Sequence, residues 1–151
     1  MSIIGLVHVN VNCSDFERSR AFYEMLGFEL LMEAPERNTA EVAAAVGLEP
    51  YHLRGALMRL ADVKSPFVID LIEWKDPSDP SPPYARLNHL GIARIAMASS
   101  DLDADMARLQ AEGVEFISEP ATVVWEGHPD SRFVCFKDPD GSVLELVEWV
   151  R

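Results

Sequence analysis

Apolar and polar residues alternate along IIGLVHVNVN (3–12), with Val7, Val9 and Val11 on one face and His8, Asn10 and Asn12 on the other. That pattern predicts a strand with one apolar and one polar face. Ser14-x-x-Glu17 then has the spacing of a capping box. Phe16, Tyr23 and Leu26 follow at helical intervals, and Gly27 supplies the stop. Residues 28–33 read as a second strand and the Ala-rich stretch 39–48 as a short extra helix ended by Gly47. Residues 55–61 and 67–74 read as two strands joined by a turn near Lys64-Ser65-Pro66. The order then recurs: a strand at 91–98, a helix at 101–112 with Leu102, Met106 and Leu109 inward, and strands at 114–118, 131–137 and 142–150. Asp138-Pro139-Asp140-Gly141 is a turn sequence, because Pro fixes φ, Asp side chains accept from nearby amides and Gly tolerates positive φ.

The recurrence extends to the residues themselves. PFVIDLIEW (66–74) returns as GSVLELVEW (141–149), which aligns Asp70 with Glu145 and Trp74 with Trp149. Ser14-Asp15-Phe16 and Ser100-Asp101-Leu102 open the two helices, and Asp15, Gly27, Asp101 and Gly113 read as their caps and stops. The chain is therefore expected to be α+β, with two tandem βαβββ modules (1–75 and 88–151) in a single domain spanning 1–151. A Pro-rich linker at 76–87 separates them, beginning DPSDPSPPYAR. A groove between two similar modules is where chemistry is expected.

Composition narrows the function classes. The chain has 151 residues, 48% of them hydrophobic and 25% charged, as in a globular domain. No apolar run reaches the roughly 18 residues of a spanning helix. The N-terminus lacks a basic region, so no signal peptide is expected. A formal net charge of −12 argues against a nucleic-acid surface and against anionic membranes. Cys13 and Cys135 make no disulfide framework, which favours reduced thiols and a cytoplasmic protein.

HVNVNCSDFERSRAFYEMLGFEL and RFVCFKDPDGSVLELVE resemble the vicinal oxygen chelate superfamily of glyoxalases, bleomycin-resistance proteins and extradiol dioxygenases. The resemblance covers the whole chain and implies paired modules whose mixed sheet curls around a cavity with a divalent metal at its floor. It implies metal ligation by His8, Asp70 and Glu145, and often a homodimer. One position departs from that pattern: Arg94 stands where many metal-dependent members have His, and a guanidinium offers only donors. His89 is five residues earlier, an odd offset that puts it on the other face of a continuous strand unless a bulge at Gly91 intervenes.

Two readings of the four duplicated positions stay open. In one, His8, Asp70 and Glu145 hold Mn, Fe, Ni or Zn with no organic cofactor. His8 and Glu145 are then catalytic, in a lyase, isomerase or ring-cleaving oxygenase. In the other, without metal, Arg94 pairs with Glu145 or Asp70 or clamps an anionic group; His8 and the spare carboxylate then still do acid–base work, or the protein only sequesters a drug or metabolite. Arg94, Asn10 and Trp125 are the expected substrate contacts. Trp125 and His128 are candidate lid residues, with Tyr51 and His52 as their mirror and His52 expected at the surface. Trp74 and Trp149 share strand parity with the acids and are expected at the cavity ends or an interface. Glu73 and Glu148 point the other way and are expected to be solvated.

Overall fold

The computed structural model describes residues 3, 5–64 and 67–150. The chain is α+β and divides into two compact units, Met1–Ser81 and Pro82–Arg151. Each carries an open four-stranded mixed sheet.

In the first unit, β1 (His8–Asn12), α1 (Phe16–Met25), β2 (Phe28–Glu33), α2 (Ala40–Ala45), β3 (His52–Leu60) and β4 (Val68–Asp76) give the sheet order β1-β4-β3-β2. The second unit contains β5 (Arg94–Ala98), α3 (Leu102–Ala111), β6 (Ala121–Val123), β7 (Ser131–Lys137) and β8 (Val143–Trp149), in the order β5-β8-β7-β6. The duplication holds to the residue. β1 runs parallel to β4 with His8 opposite Val68 and Asn10 opposite Asp70, and β5 runs parallel to β8 with Arg94 opposite Val143 and Ala96 opposite Glu145.

Strand alternation separates two faces in each unit. Phe16 and Tyr23 of α1 are buried with Ala56, Met58, Ile69 and Leu71 of the sheet. Leu102, Met106 and Leu109 of α3 are buried with Val134, Phe136, Leu144 and Leu146. The expected inward set on the second helix is thus met. The opposite faces carry His8, Asn10, Asp70 and Trp74 in one unit and Arg94, Cys135, Glu145 and Trp149 in the other.

Several boundaries differ from expectation. The first strand starts at His8, and Val7, expected on its apolar face, is exposed (Ile4 lies outside the described residues). The third strand begins at His52, not 55, across a register shift between His52 and Leu53. The turn at Lys64-Ser65-Pro66 falls partly on Ser65 and Pro66, outside the described residues. No strand occupies 114–118, where only Phe116 bridges Phe136; the edge strand forms at Ala121–Val123 instead, after Pro120. The strand expected at 91–98 starts at Arg94; Gly91 has φ +120, outside the extended range, and Tyr84 packs where a Cβ would otherwise lie. At the start of α1 the reading of Asp15 as the cap holds and that of a Ser14 capping box does not: the Asp15 carboxylate accepts from Arg18 N at 3.0 Å, while Ser14 Oγ accepts from Arg18 Nη2. Asp101 caps α3 in the same way.

Glu73 and Glu148 are not solvated. Glu73 accepts from Phe16 N at 3.0 Å and pairs with Lys75, and Glu148 pairs with Arg132 at 3.2 Å. Both face the helix side, where the first-turn amides and matched arginines supply positive partners. Arg54 reaches Glu17 of α1, and Arg132 reaches Asp103 of α3 at 2.7 Å, so the strut from helix to sheet is duplicated as well. No helix is long and apolar enough to cross a membrane among the described residues.

Candidate functional site

In the first unit, parallel pairing of β1 with β4 brings His8 Nε2 to 3.9 Å from Asp70 Oδ2. Asn10, directly opposite Asp70, donates Nδ2 to the Asp70 carbonyl at 3.3 Å and to its carboxylate at 3.4 Å. Asp70 is largely covered and His8 is half-exposed. An imidazole beside a carboxylate can hold and transfer a proton. Farther along this face Trp74 donates Nε1 to Asn12 Oδ1 at 2.8 Å, and its ring meets Tyr51 edge-on at 4.9 Å between centroids.

In the second unit, Arg94 Nε lies 2.6 Å from Glu145 Oε2. Glu145 is 6% exposed, so its charge depends on local compensation. Cys135, opposite Glu145 in the β7–β8 hairpin, adds a second contact, donating its thiol to the same oxygen at 3.6 Å. Burial pushes the Cys135 thiol up from its ordinary value, the Glu145 charge and hydrogen bond push it further, and Arg94 opposes them. The thiol is therefore held protonated, as a donor and not a nucleophile. Trp125 donates Nε1 to Ser131 Oγ at 2.9 Å and stands 6.3 Å from Trp149. This matches the Tyr51–Trp74 pair at the corresponding end of the first unit.

Of the residues singled out from sequence, His8, Asn10 and Asp70 meet within one unit, and Arg94 meets Glu145 within the other. Trp125 stands with Trp149 at the far end of that unit's strip. His128 turns back on Trp125 through its backbone and its side chain is exposed. His52 is half-buried and lies 3.8 Å from Glu36, so it is not plain surface. It borders a groove of about 380 Å³ with Phe16, Arg54 and Glu73. Glu73 is three residues from Asp70 on one strand, so that groove lies on the other face from the His8–Asp70 pair. His89 is not on a strand; its ring stacks on Tyr84 at 4.3 Å. Cys135 was the functional neighbour that sequence reading missed. The turn at 138–141 contained the signal, since a hairpin centred on Asp140 sets residue 135 opposite residue 145.

Residues 5–146 match the Glyoxalase/Bleomycin resistance protein/Dioxygenase superfamily. The chain belongs to this superfamily. It is 28% identical over 149 residues to the uncharacterized protein YwkD of Bacillus subtilis, covering 98% of this chain and 99% of that one. It is also 28% identical over 143 residues to the uncharacterized protein YaeR of Escherichia coli, covering 93% of each. A solved glyoxalase family protein from Bacillus cereus shares the fold with a TM-score of 0.79 at 22% identity, covering 100% of this chain and 99% of that one. TnmS3, an antibiotic binding protein from Streptomyces, superposes with a TM-score of 0.67 at 26% identity over 99% of this chain and 98% of its own.

Superfamily members often use a divalent metal, and the donor chemistry tests whether these residues suit one. Among the described residues no group of three His, Cys, Asp or Glu is placed to hold an ion. Arg94 offers no lone pair and already binds the carboxylate a metal would need. Within the second unit the residues do not fit a metal, and within the first only His8 and Asp70 stand together.

Proposed function

We propose that this chain binds a small organic molecule without a metal at Glu145, with Arg94 orienting an anionic group and Trp125 as a further contact in the same unit. The 2.6 Å Arg94–Glu145 pair carries this reading. The acid that would serve as ligand and base in a metal-dependent enzyme is neutralised by a permanent cation. The same pair leaves the rest of the guanidinium to recognise a ligand. The likeness to an antibiotic binding protein supports the sequestering form of this activity.

A second reading rests on His8. Its 3.9 Å approach to Asp70 supports acid–base work in a lyase, isomerase or oxygenase of the glyoxalase/dioxygenase type. A cytoplasmic homodimer belongs to both readings, and sedimentation velocity tests the dimer.

Elemental analysis distinguishes the metal question. Purified protein incubated with Mn, Fe, Ni or Zn and then desalted is expected to retain no stoichiometric metal. One equivalent of metal, lost in both His8→Ala and Glu145→Ala, would overturn the metal-free reading. Recovery of a bound ligand chemically unchanged favours sequestration. Conversion abolished by His8→Ala favours the enzyme.

A further inference from the structure

We infer that the ligand is an elongated aromatic acid, held in the second unit with its anionic group on Arg94 and its ring system against Trp149; this rests on the small-molecule reading above. The inference comes from one strip of the sheet. On β8 the residues Glu145, Val147 and Trp149 alternate away from the buried Leu144 and Leu146, and so share a face. Their β7 partners on that face are Cys135, Phe133 and Ser131. The strip thus runs from a charged end through an apolar middle to an aromatic end. Its ends are four residues apart on β8, about 13 Å at ~3.3 Å per residue.

Each part favours the same chemistry. At the charged end Arg94 turns Nε to Glu145 while its side chain stays 46% exposed, so part of the guanidinium faces solvent. The acid beside it is already compensated, so what this end offers to solvent is donors, arranged to take both oxygens of a carboxylate. Phe133 and Val147 pair directly in the middle and remain partly accessible, giving an apolar floor. At the far end Trp149 is 57% exposed and Trp125 46% exposed, two large rings side by side in solvent. Trp125 is fixed through its indole N–H on the buried Ser131. Held, half-exposed rings form a stacking surface at little entropic cost. A single-ring acid is too short to reach both ends, whereas two linked rings carrying a terminal carboxylate come within contact distance of both.

Isothermal titration of the full chain tests this with four probes: biphenyl-4-carboxylate, its neutral carboxamide, octanoate and benzoate. Biphenyl-4-carboxylate is expected to bind tightest, roughly ten-fold or more over each of the others. Arg94→Gln should erase its advantage over the carboxamide, and Trp149→Leu its advantage over octanoate. Glu145→Gln should tighten the acid alone, because the guanidinium is released from its internal partner; a purely structural Arg94 would not give that gain. Circular dichroism melts confirm that each variant folds. Equal affinity for the acid and the carboxamide, or for octanoate and the biphenyl acid, would overturn the aromatic-acid assignment while leaving small-molecule binding intact. If no probe binds and a broad thermal-shift panel of neutral and cationic compounds also gives no hit, both fall.

Discussion

A carboxylate as buried as Glu145 keeps its charge only beside a cation or several donors, and Arg94 and Cys135 provide both. Two expected outcomes follow at the scale of single side chains. Arg94→His replaces a guanidinium by an imidazole next to a carboxylate and a thiol, which is a three-donor set suited to zinc. Zinc affinity measured by competition with a chromophoric chelator should rise at least ten-fold; unchanged affinity would mean the three side chains cannot converge. The second outcome concerns the Cys135 thiolate. Its pKa is raised by burial and then by Glu145, and lowered by Arg94. Alkylation, which requires the thiolate, should therefore reach its midpoint at lower pH in Glu145→Gln and at higher pH in Arg94→Gln, read at Cys135 by mass spectrometry. The four polar positions were legible because the chain states them twice, and equal strand parity placed each on the polar face. Which acid Arg94 would choose was not legible, since either carboxylate satisfied the same charge argument. Parallel pairing of β5 with β8 within one unit decides it.

At the scale of elements, local chemistry explains what was readable. The 138–141 turn forms as its residues dictate. The Asp138 carboxylate accepts from Asp140 N at 3.0 Å and Ser142 N at 2.8 Å, and Gly141 takes φ +96. Asp138 is 5% exposed, so Asp138→Ala would leave two partly buried amides without this acceptor. The expected cost is about 2 kcal/mol, a fall in Tm of roughly 4–8 °C for a chain of this size, measured by calorimetry. Because this turn sets Cys135 opposite Glu145, the variant should also blur the pH midpoint of Cys135 alkylation. Strand 114–118 was misread for the opposite reason. VEFIS has strand composition, but Val114 N is drawn back to the Leu109 carbonyl at the end of α3 and Ile117 N to the Cys135 carbonyl. The ladder with β7 forms only beyond Pro120, at Ala121–Val123. A hydrogen bond back to the departing helix, with only an isolated bridge to β7 after it, moved the edge strand downstream of the local residue pattern. Of the two cap readings for α1, Asp15 held and the Ser14 capping box did not. Asp15 sits one residue closer to α1, and a carboxylate accepts from the first-turn amide more strongly than a hydroxyl.

For the whole molecule, charge makes a prediction that its local contacts would not. The chain carries −12, so an approaching acid meets net repulsion at long range before it meets Arg94. At about 10 mM ionic strength that repulsion extends roughly 30 Å, and at 0.15 M only about 8 Å. The contact at Arg94 is short-ranged and lies on a partly covered ion pair, where screening acts less. Added salt should therefore speed association of biphenyl-4-carboxylate severalfold between those two conditions. Dissociation should change less, so the net affinity rises slightly. The neutral carboxamide, feeling neither field, should associate at the same rate in both buffers. Stopped-flow quenching of tryptophan fluorescence separates the two rate constants. An association rate that falls as salt is added would show that a local positive field around Arg94 outweighs the acidic remainder of the surface.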